Sequence, residues 1–362
     1  MTTYYLRPTN GSDAAAGTPF AAAFKTLQKC VDTAVAGDVV RMCPEATETI
    51  AAAIDFDTNA GAAGNQILFE PGNTTDGSKD LSLFYTITTV GAIHLLEFGI
   101  ASDYYKIYNL ICDGAAAATE CLSNAADGSD YHTFINCRFT HATSHNINVR
   151  GGTNANWVFI DCETDLSGAN GINHVASNRG SIYWFGGSIH DNTGDGWNCN
   201  KIESMLIGAE VYDNGDDGFF GGLNSNRVVL VGNTFYGNTG DGVSLDGTDP
   251  ALLICNNTSS GNGGYGFNFN TTNIPHYMDY NHTHNNTSGA GSTTLPGTHN
   301  QTGDPLFTSV VDGSEDFTSG DGGPLDSTGM MGVDIGARAS VDPSAAGGGL
   351  LIHPGMSGGM RG

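Results

Sequence analysis

The chain has 362 residues, including 52 glycines, and its 38 acidic residues against 13 Lys and Arg give a net charge of −25. A chain this acidic has no basic surface that could displace counterions, so we exclude nucleic acid as a partner. No apolar run approaches the ~18 residues that a membrane span needs, so we expect no membrane partner. Abundant Gly with only 14% charged residues favours turn-rich β-structure over helices.

Residues 1–40 predict a strand followed by a capping helix. The opening "MTTYYLRPTNGSD" lacks the basic and apolar regions of a signal peptide, so we expect synthesis in the cytoplasm without export. Pro19 can begin a helix that Gly37 ends. The buried face of this helix is predicted to consist of Phe24, Leu27, Val31 and Val35.

Residues 41–300 carry a repeat. The heptads "DNTGDGW" at 191, "DNGDDGF" at 213, "GNTGDGV" at 237 and "GNGGYGF" at 261 begin 22, 24 and 24 residues apart. Their shared Asn192, Asn214, Asn238 and Asn262 predict a ladder of stacked amides. Short strands separated by turns at this period indicate a solenoid of about ten coils, stacked ~4.8 Å apart.

A second column supports the same period. It holds only Asn, Asp or Gly, the residue types that tolerate a left-handed backbone, so we predict a one-residue bend there in each coil. The column consists of Asn109, Asn136, Asp161, Gly186, Gly208, Gly232 and Asn256.

Apolar columns beside this bend are predicted to fill the interior. One consists of Ile135, Ile160, Phe185, Ile207, Val231 and Cys255. Another consists of Phe139, Thr164, Ile189, Val211 and Phe235. A third, after the heptads, consists of Trp197, Phe219, Val243 and Phe267. The eight cysteines form no CxxC pair, so we expect them to be reduced and buried, with Cys137 and Cys162 stacked inside.

The repeat fades after residue 300. Residues 301–340, with "GDPLF" and "GVDIGA", predict an irregular C-terminal closure. Residues 341–362 are Gly-rich, which is typical of a disordered tail. The tail also carries apolar residues that could anchor a docking arm on a partner, namely Leu350, Leu351, Ile352 and Met356.

Two segments resemble a known group of proteins. The stretch from Tyr4 to Met42 resembles the N-terminal segment of right-handed parallel β-helix proteins of the pectate-lyase-like superfamily, and "GDPLF" with "GVDIGA" resembles their closing segment. The resemblance implies an all-β fold, a single-stranded right-handed parallel β-helix with a short N-terminal capping helix. It does not select an activity, because the group includes lyases, glycosidases, epimerases, phage tailspikes and non-enzymatic virion proteins.

Asp195, Asp217 and Asp241 align in the heptads and are the candidate catalytic residues. Stacked carboxylates repel one another, which raises a pKa or recruits a cation such as Ca²⁺. A glycosidase could use such a pair. Asp before Gly also simply builds turns, and that alternative stays open.

Other candidates are weaker. Tyr212 and Tyr236, and the neighbouring Tyr183 and Trp184, could offer faces on which sugar rings stack. Arg138 shares a column with Glu163, so an ion pair explains it. His282 and His284 lack a third ligand, so we predict no metal site.

The absence of a signal peptide, the unpaired cysteines and the tail favour a virion-associated structural protein of a bacteriophage, a spike, fibre or head decoration. We expect it to bind other virion proteins through the tail, and glycans as a further ligand. The resemblance implies a homotrimer. The alternative is a glycan-cleaving enzyme, a glycosidase in preference to a lyase, because an acidic surface would repel uronic-acid polymers.

Overall fold

The computed structural model describes residues 1–99, 102–124, 131–150, 156–175, 180–200, 203–222, 227–246, 253–269, 277–319, 323–326, 328–330 and 333–337. In this part the chain is an all-β parallel solenoid of about nine turns with almost no helix. Three parallel sheets, A, B and C, run along it, and successive strands pass from one sheet to the next. The predicted docking residues Leu350, Leu351, Ile352 and Met356 lie outside the described residues.

The strands are short, as the repeat predicts. Sheet A consists of Thr3–Leu6, Val39–Met42, Ile67–Pro71, Tyr105–Tyr108, His132–Ile135, Asn156–Ile160, Ser181–Phe185, Glu203–Ile207, Arg227–Val231, Leu253–Cys255 and Met278–Asp279. Sheet B consists of Glu48–Ile50, Tyr85–Thr89, Leu110–Asp113, Arg138–Thr140, Glu163–Asp165, Ser188–His190, Glu210–Tyr212, Thr234–Tyr236, Thr258–Ser260, His282–His284 and Gln301–Thr302. Sheet C consists of Ile54–Asp55, His94–Phe98, Glu120–Asn124, Ile147–Val149, Ile172–His174, Trp197–Cys199, Phe219–Gly221, Val243–Leu245, Tyr265–Phe269 and Gly289–Gly291.

The bend between sheets A and B is confirmed. All seven predicted positions have a positive φ, between 49° at Asp161 and 68° at Gly208. Such a φ is accessible to Asn, Asp and Gly at small cost, which is why these residue types recur there.

Two of the three predicted interior columns are confirmed. The columns that begin at Phe139 and at Trp197 are fully buried throughout. The column from Ile135 to Val231 was assigned to the wrong face, because these five residues alternate with the buried ones and point outward. A one-residue shift in a strand moves every side chain to the opposite face. The buried column lies one residue earlier, at Phe134, Phe159, Trp184, Leu206, Leu230 and Ile254.

The α-helix of the described residues lies in the N-terminal region. A 3₁₀ turn covers Phe20–Ala22 and one α-helix covers Leu27–Val31. The helix buries Leu27 and Val31, but it ends before Val35, which is 52% exposed, so the prediction for Val35 was wrong. No helix in the described ranges is both long and apolar enough to cross a membrane.

A hairpin of the C-terminal region packs on the outer face of sheet B. Its strands, Phe307–Ser309 and Asp316–Ser319, pair antiparallel. Farther along, the N–H of Gly336 donates to the carbonyl of Asn256 at 2.8 Å. All eight cysteines are free and buried, as expected.

Candidate functional site

The predicted Asn ladder lies in the turn between sheets B and C. Each amide nitrogen donates to the amide oxygen of the next coil, at 2.9 Å from Asn192 to Asn214, 2.9 Å from Asn214 to Asn238, and 3.0 Å from Asn238 to Asn262. The same oxygens also accept backbone N–H groups, and the nitrogens also donate to backbone carbonyls such as that of Val211. The ladder uses both the donor and the acceptor of every amide, so it is structural.

The candidate carboxylates form a second ladder three residues farther on. In each coil one side-chain acceptor takes the backbone N–H of the next coil. The steps are Asn170 to His145 Nδ1 at 3.1 Å, Asp195 to Asn170 Oδ1 at 2.9 Å, Asp217 to Asp195 Oδ1 at 3.2 Å, Asp241 to Asp217 Oδ1 at 2.6 Å, and Tyr265 to Asp241 Oδ1 at 2.5 Å. We call this set the acceptor ladder. Because His145 and Asn170 serve in it without a negative charge, the ladder requires an acceptor and not an acid.

The coil of Asp217 departs from its neighbours at two positions. Asp216 occupies a column that is Ala169, Gly194, Gly240 and Gly264 in the adjacent coils. Phe220 occupies a column that is otherwise Asn or Ser, namely Asn173, Asn198, Ser244 and Asn268. One coil therefore gains a carboxylate and an aromatic ring beside Asp217. Departures from a local rule are concentrated at functional sites in proteins.

Phe220 cannot supply to Asp217 the hydrogen bond that Asn198 supplies to Asp195 one coil earlier. The second oxygen of Asp195 accepts from Asn198 at 3.1 Å, and that of Asp241 accepts from Asn268 at 2.7 Å. At Asp217 the side chain that corresponds to Asn198 is the benzyl group of Phe220, which cannot donate, and the side chain that corresponds to Asn268 is that of Ser244. A carboxylate that lacks donors is less stable in its charged form.

The electrostatics of the site follow from this arrangement. Burial, together with the carboxylates of Asp241, Asp195 and Asp216, raises the pKa of Asp217 to about 7, although the hydrogen bond from the backbone N–H of Asp241 opposes the rise. Burial, with Asp216, raises the pKa of Asp195 to about 6. Titration near neutral pH is what a general acid needs.

Three carboxylates converge here. Oxygens of Asp195, Asp216 and Asp217 lie within 4.8 Å of one another. A β-carbon on Gly240 would lie 2.4 Å from Oδ1 of Asp217 and 2.8 Å from Oδ1 of Asp216, so only glycine admits both carboxylates at this point. Carboxylate oxygens at this separation can share a proton or hold a hard cation such as Ca²⁺.

The predicted sugar-stacking residues lie elsewhere. Tyr212 and Tyr236 end strands of sheet B and pack against Phe317 of the C-terminal hairpin, at ring-centroid distances of 5.2 and 5.3 Å. Tyr236 also meets Phe307 at 5.9 Å. The structure therefore does not bring them together with the carboxylates, and their role in sugar binding stays a prediction. These residues were expected to offer sugar-stacking faces only if exposed, and Trp184 is fully buried, so it offers none.

The outer face of sheet B carries a charged cluster that the sequence analysis did not predict as a group. His190 lies between Glu163 (Nε2 to Oε1, 3.2 Å) and Asp191 (Nδ1 to Oδ2, 2.8 Å). Burial would lower the pKa of His190, but these two carboxylates outweigh it and raise the pKa. Arg138 lies 3.4 Å from Glu163, as predicted, and binds Asp165 more closely at 2.6 Å. The signal in the sequence was the outward column Asp165–His190–Tyr212, one repeat apart.

This cluster could also supply metal ligands, since donor atoms of Glu163, Asp165 and His190 lie within 4.8 Å of one another. Arg138 already forms two hydrogen bonds to Asp165, so a cation would have to displace its guanidinium. His282 is fully buried, and burial lowers its pKa to about 4.

No known protein family matches the sequence, and no curated protein matches it. Solved structures do resemble it. The pectate lyase Pel9A superposes with a TM-score of 0.69 at 16% identity, over 94% of this chain and 96% of that one. A rhamnogalacturonan lyase does so with a TM-score of 0.51 at 13% identity, over 86% of this chain and 91% of that one. The A-module of the mannuronan C-5 epimerase AlgE4 of Azotobacter vinelandii superposes with a TM-score of 0.51 at 13% identity, over 82% of this chain and 86% of that one.

These comparisons define the class of protein by its fold. The chain is a parallel β-helix with structural neighbours in the pectate-lyase-like superfamily, as its terminal segments predicted. Identities this low establish the fold alone.

Proposed function

We propose that the protein cleaves a glycan, with Asp217 as the general acid and Asp216 as its carboxylate partner. The observation that carries the proposal is the coil of Asp217, where the repeat is broken twice and both changes favour acid catalysis. Phe220 removes the donor that would stabilise the Asp217 carboxylate, and Asp216 adds a negative charge beside it. A perturbed pKa with an identified charged partner is a recognised mark of a catalytic group.

Glycosidases work with two carboxyl groups in different protonation states. Retaining enzymes hold them ~5 Å apart, and inverting enzymes hold them roughly 6.5–9.5 Å apart. Oxygens of Asp217 and Asp216 lie within 4.8 Å, which suits the retaining arrangement. In this scheme Asp217 gives its proton to the glycosidic oxygen and exposed Asp216 attacks the anomeric carbon. The glycosidic C–O bond breaks, the protonated leaving sugar departs, and an ester to Asp216 forms. Water then gives a proton to Asp217 and attacks the anomeric carbon, which breaks the ester and restores the Asp216 carboxylate.

The charge of the site supports a neutral glycan as substrate. The structural neighbours named as lyases would suggest elimination from an acidic polymer, and the epimerase acts on mannuronan by its name. Such chemistry needs a base and a cation to neutralise the uronate. The turns that carry the acceptor ladder contain no Arg or Lys from residue 166 to residue 171, 191 to 196, 213 to 218 or 237 to 242. A net charge of −25 would also repel an anionic chain.

The test is release of reducing ends from a panel of neutral polysaccharides. Asp217→Asn should abolish cleavage, because an amide cannot give up a proton, and it should still fold, because Asn170 shows that an amide serves in the ladder. Asp241→Asn is the matched control, since Asp241 has the same backbone partner type and retains its Asn268 donor. Cleavage by Asp217→Asn at the wild-type rate would contradict the proposal.

Ca²⁺ is the competing occupant of the same carboxylates. If the site serves a cation, Ca²⁺ should raise the melting temperature of the wild type and not of Asp217→Asn. If it serves an acid, Ca²⁺ should inhibit cleavage by competing with the proton of Asp217.

The place of the protein in a bacteriophage virion is a second, separate proposal, and its support is the sequence alone. Its tests are the detection of the protein in purified virions and the deletion of residues 347–362. That deletion should leave a folded protein that no longer enters particles, if the tail docks on other virion proteins.

A further inference from the structure

The outer face of sheet A carries an apolar strip over six consecutive strands, bordered on one side by Glu203 and Arg227. Two outward columns lie side by side on it, in register from coil to coil. All ten members of these columns that the set includes are half-buried, and none carries a charge. We call this set the sheet A patch, and it consists of Ile135, Val158, Ile160, Tyr183, Phe185, Met205, Ile207, Val229, Val231 and Leu253.

The outer faces of the other two sheets are polar at the same level. On sheet B the outward column runs Arg138, Glu163, Ser188, Glu210 and Thr234. On sheet C it runs Asn148, Asn173, Asn198, Phe220 and Ser244. The repeat therefore accepts polar residues on an outward face, so its geometry does not require the apolar residues of sheet A.

The patch has the size of a functional surface. Six strands spaced ~4.8 Å apart extend over about 24 Å, and two columns with their side chains over about 14 Å. The resulting area of roughly 350 Å² matches the largest apolar patch of a typical monomer, which is often functional. Parallel sheets are usually covered on both faces, and within the described ranges the interior covers one face of sheet A.

We propose that the sheet A patch is the contact surface between copies of this chain. Two copies with a net charge of −25 each repel one another over most of their surface, and an uncharged strip is where they can approach. A second copy presents a flat apolar strip of the same length and strand spacing, so the two faces match. A standard interface buries ~800 Å² per partner, so the patch would form the apolar centre and its borders the polar rim.

A glycan is a poorer occupant of this surface. Carbohydrate and other small-ligand sites combine apolar contacts with a few convergent polar groups. In the part of the patch that the structure describes, the Tyr183 hydroxyl is the only polar side-chain group, and it is 3.4 Å from Glu203 at the border. This proposal does not depend on the carboxylates of the B–C turn.

The first test is the mass of the full chain in solution. The wild type should sediment as a multiple of 37.6 kDa, with the mass falling on dilution. Val229→Lys places a charge at the centre of the patch and should weaken association at least about tenfold. Ser188→Lys, on the half-buried outer column of sheet B, is the control and should keep the wild-type mass. A wild type that stays at 37.6 kDa, or a Val229→Lys variant that associates like the wild type, would overturn the proposal.

A second test needs no variant, in case Val229→Lys fails to fold. Peroxide oxidises accessible methionines, and Met205 lies in the patch whereas Met1 is 95% exposed. Concentrating the protein about a hundredfold should slow oxidation of Met205 and leave Met1 unchanged. Equal rates for Met205 at both concentrations would overturn the proposal, whether the patch is then free or serves another partner.

Discussion

The Asn ladder and the acceptor ladder run side by side along the same turns, yet their side chains do different amounts of structural work. Each amide of the Asn ladder both donates and accepts: Asn238 donates to the Val211 carbonyl and to Asn262, and it accepts from Asn214. The acceptor ladder uses only one oxygen or nitrogen per coil, and His145, Asn170 and Asp217 all suffice. The comparison separates what the fold requires from what it merely tolerates. The fold tolerates a negative charge at Asp217 but does not require it, and for this reason we assign the charge a function.

The largest expected effect comes from breaking the Asn ladder. Asn238→Ala removes an acceptor from Asn214 and donors from Val211 and Asn262, all of which are buried or lie in buried backbone. Each buried polar group left without a partner costs ~1–3 kcal/mol, so we expect unfolding in urea to be easier by about 3 kcal/mol. Thr239→Ala, at the exposed neighbouring position, is the control and should change stability by less than about 0.5 kcal/mol. A loss no larger than that of Thr239→Ala would show that the ladder is dispensable.

The acceptor ladder should make stability depend on pH. The pKa of Asp217 is raised to about 7, and burial raises those of Asp195 and Asp213 to about 6, all from an ordinary 3.8. The folded state therefore holds these protons more tightly than the unfolded state. Their stabilising effect is complete below about pH 4 and is lost as the pH rises through about 6 to 7.

The measurement for this prediction is urea unfolding between about pH 3 and pH 8. Asp217→Asn should be more stable than the wild type at the alkaline end, by about 1–2 kcal/mol after allowance for solvent screening, and the difference should vanish at the acid end. If both proteins lose stability in parallel across this range, the Asp217 carboxyl is not perturbed as described.

The sequence predicted which residues stack in columns better than it predicted whether their side chains face the interior or the solvent. The positive φ at Asn109 and at Gly208 could be predicted, because few residue types tolerate it. The Ile135 column was placed inside because apolar residues occupy both faces of sheet A, so the alternation that marks an outward face is missing there. Only the pairing with neighbouring strands shows that Phe134 is the buried residue.

The candidate site was predicted as a column of three equal members, and the structure makes them unequal. Asp217 differs from Asp195 and Asp241 because of Phe220, whose place in the Asn column depends on strand register. The contact of Phe317 with Tyr212 joins residues 105 positions apart, which no local pattern reveals.

A smaller effect is expected when Asp217 is made like its neighbours. Phe220→Asn should supply the donor that Asn198 gives to Asp195, and so lower the pKa of Asp217. The pKa of the Asp217 carboxyl would be measured by NMR titration. The rate of cleavage would be measured against pH on both the acidic and the alkaline side of its maximum. We expect the alkaline limit of activity to move to lower pH with little change in stability. Ser244→Ala, at the next coil of the same column, is the control and should leave the profile in place, because it brings no amide donor to Asp217.

The smallest effect on stability is expected from removing Asp216, the carboxylate that the coil of Asp217 adds. Asp216→Gly reproduces the residue found at Gly194, Gly240 and Gly264 and removes one repelling charge from Asp217 and Asp195. Since burial is the larger cause at both residues, their pKa values should fall only slightly, and stability near neutral pH should change by less than about 1 kcal/mol. Cleavage should nevertheless be lost, because the attacking carboxylate is gone. If activity survives Asp216→Gly but not Asp217→Asn, Asp217 remains the general acid. The attacking carboxylate is then Asp195, which has an oxygen within 4.8 Å of Asp217.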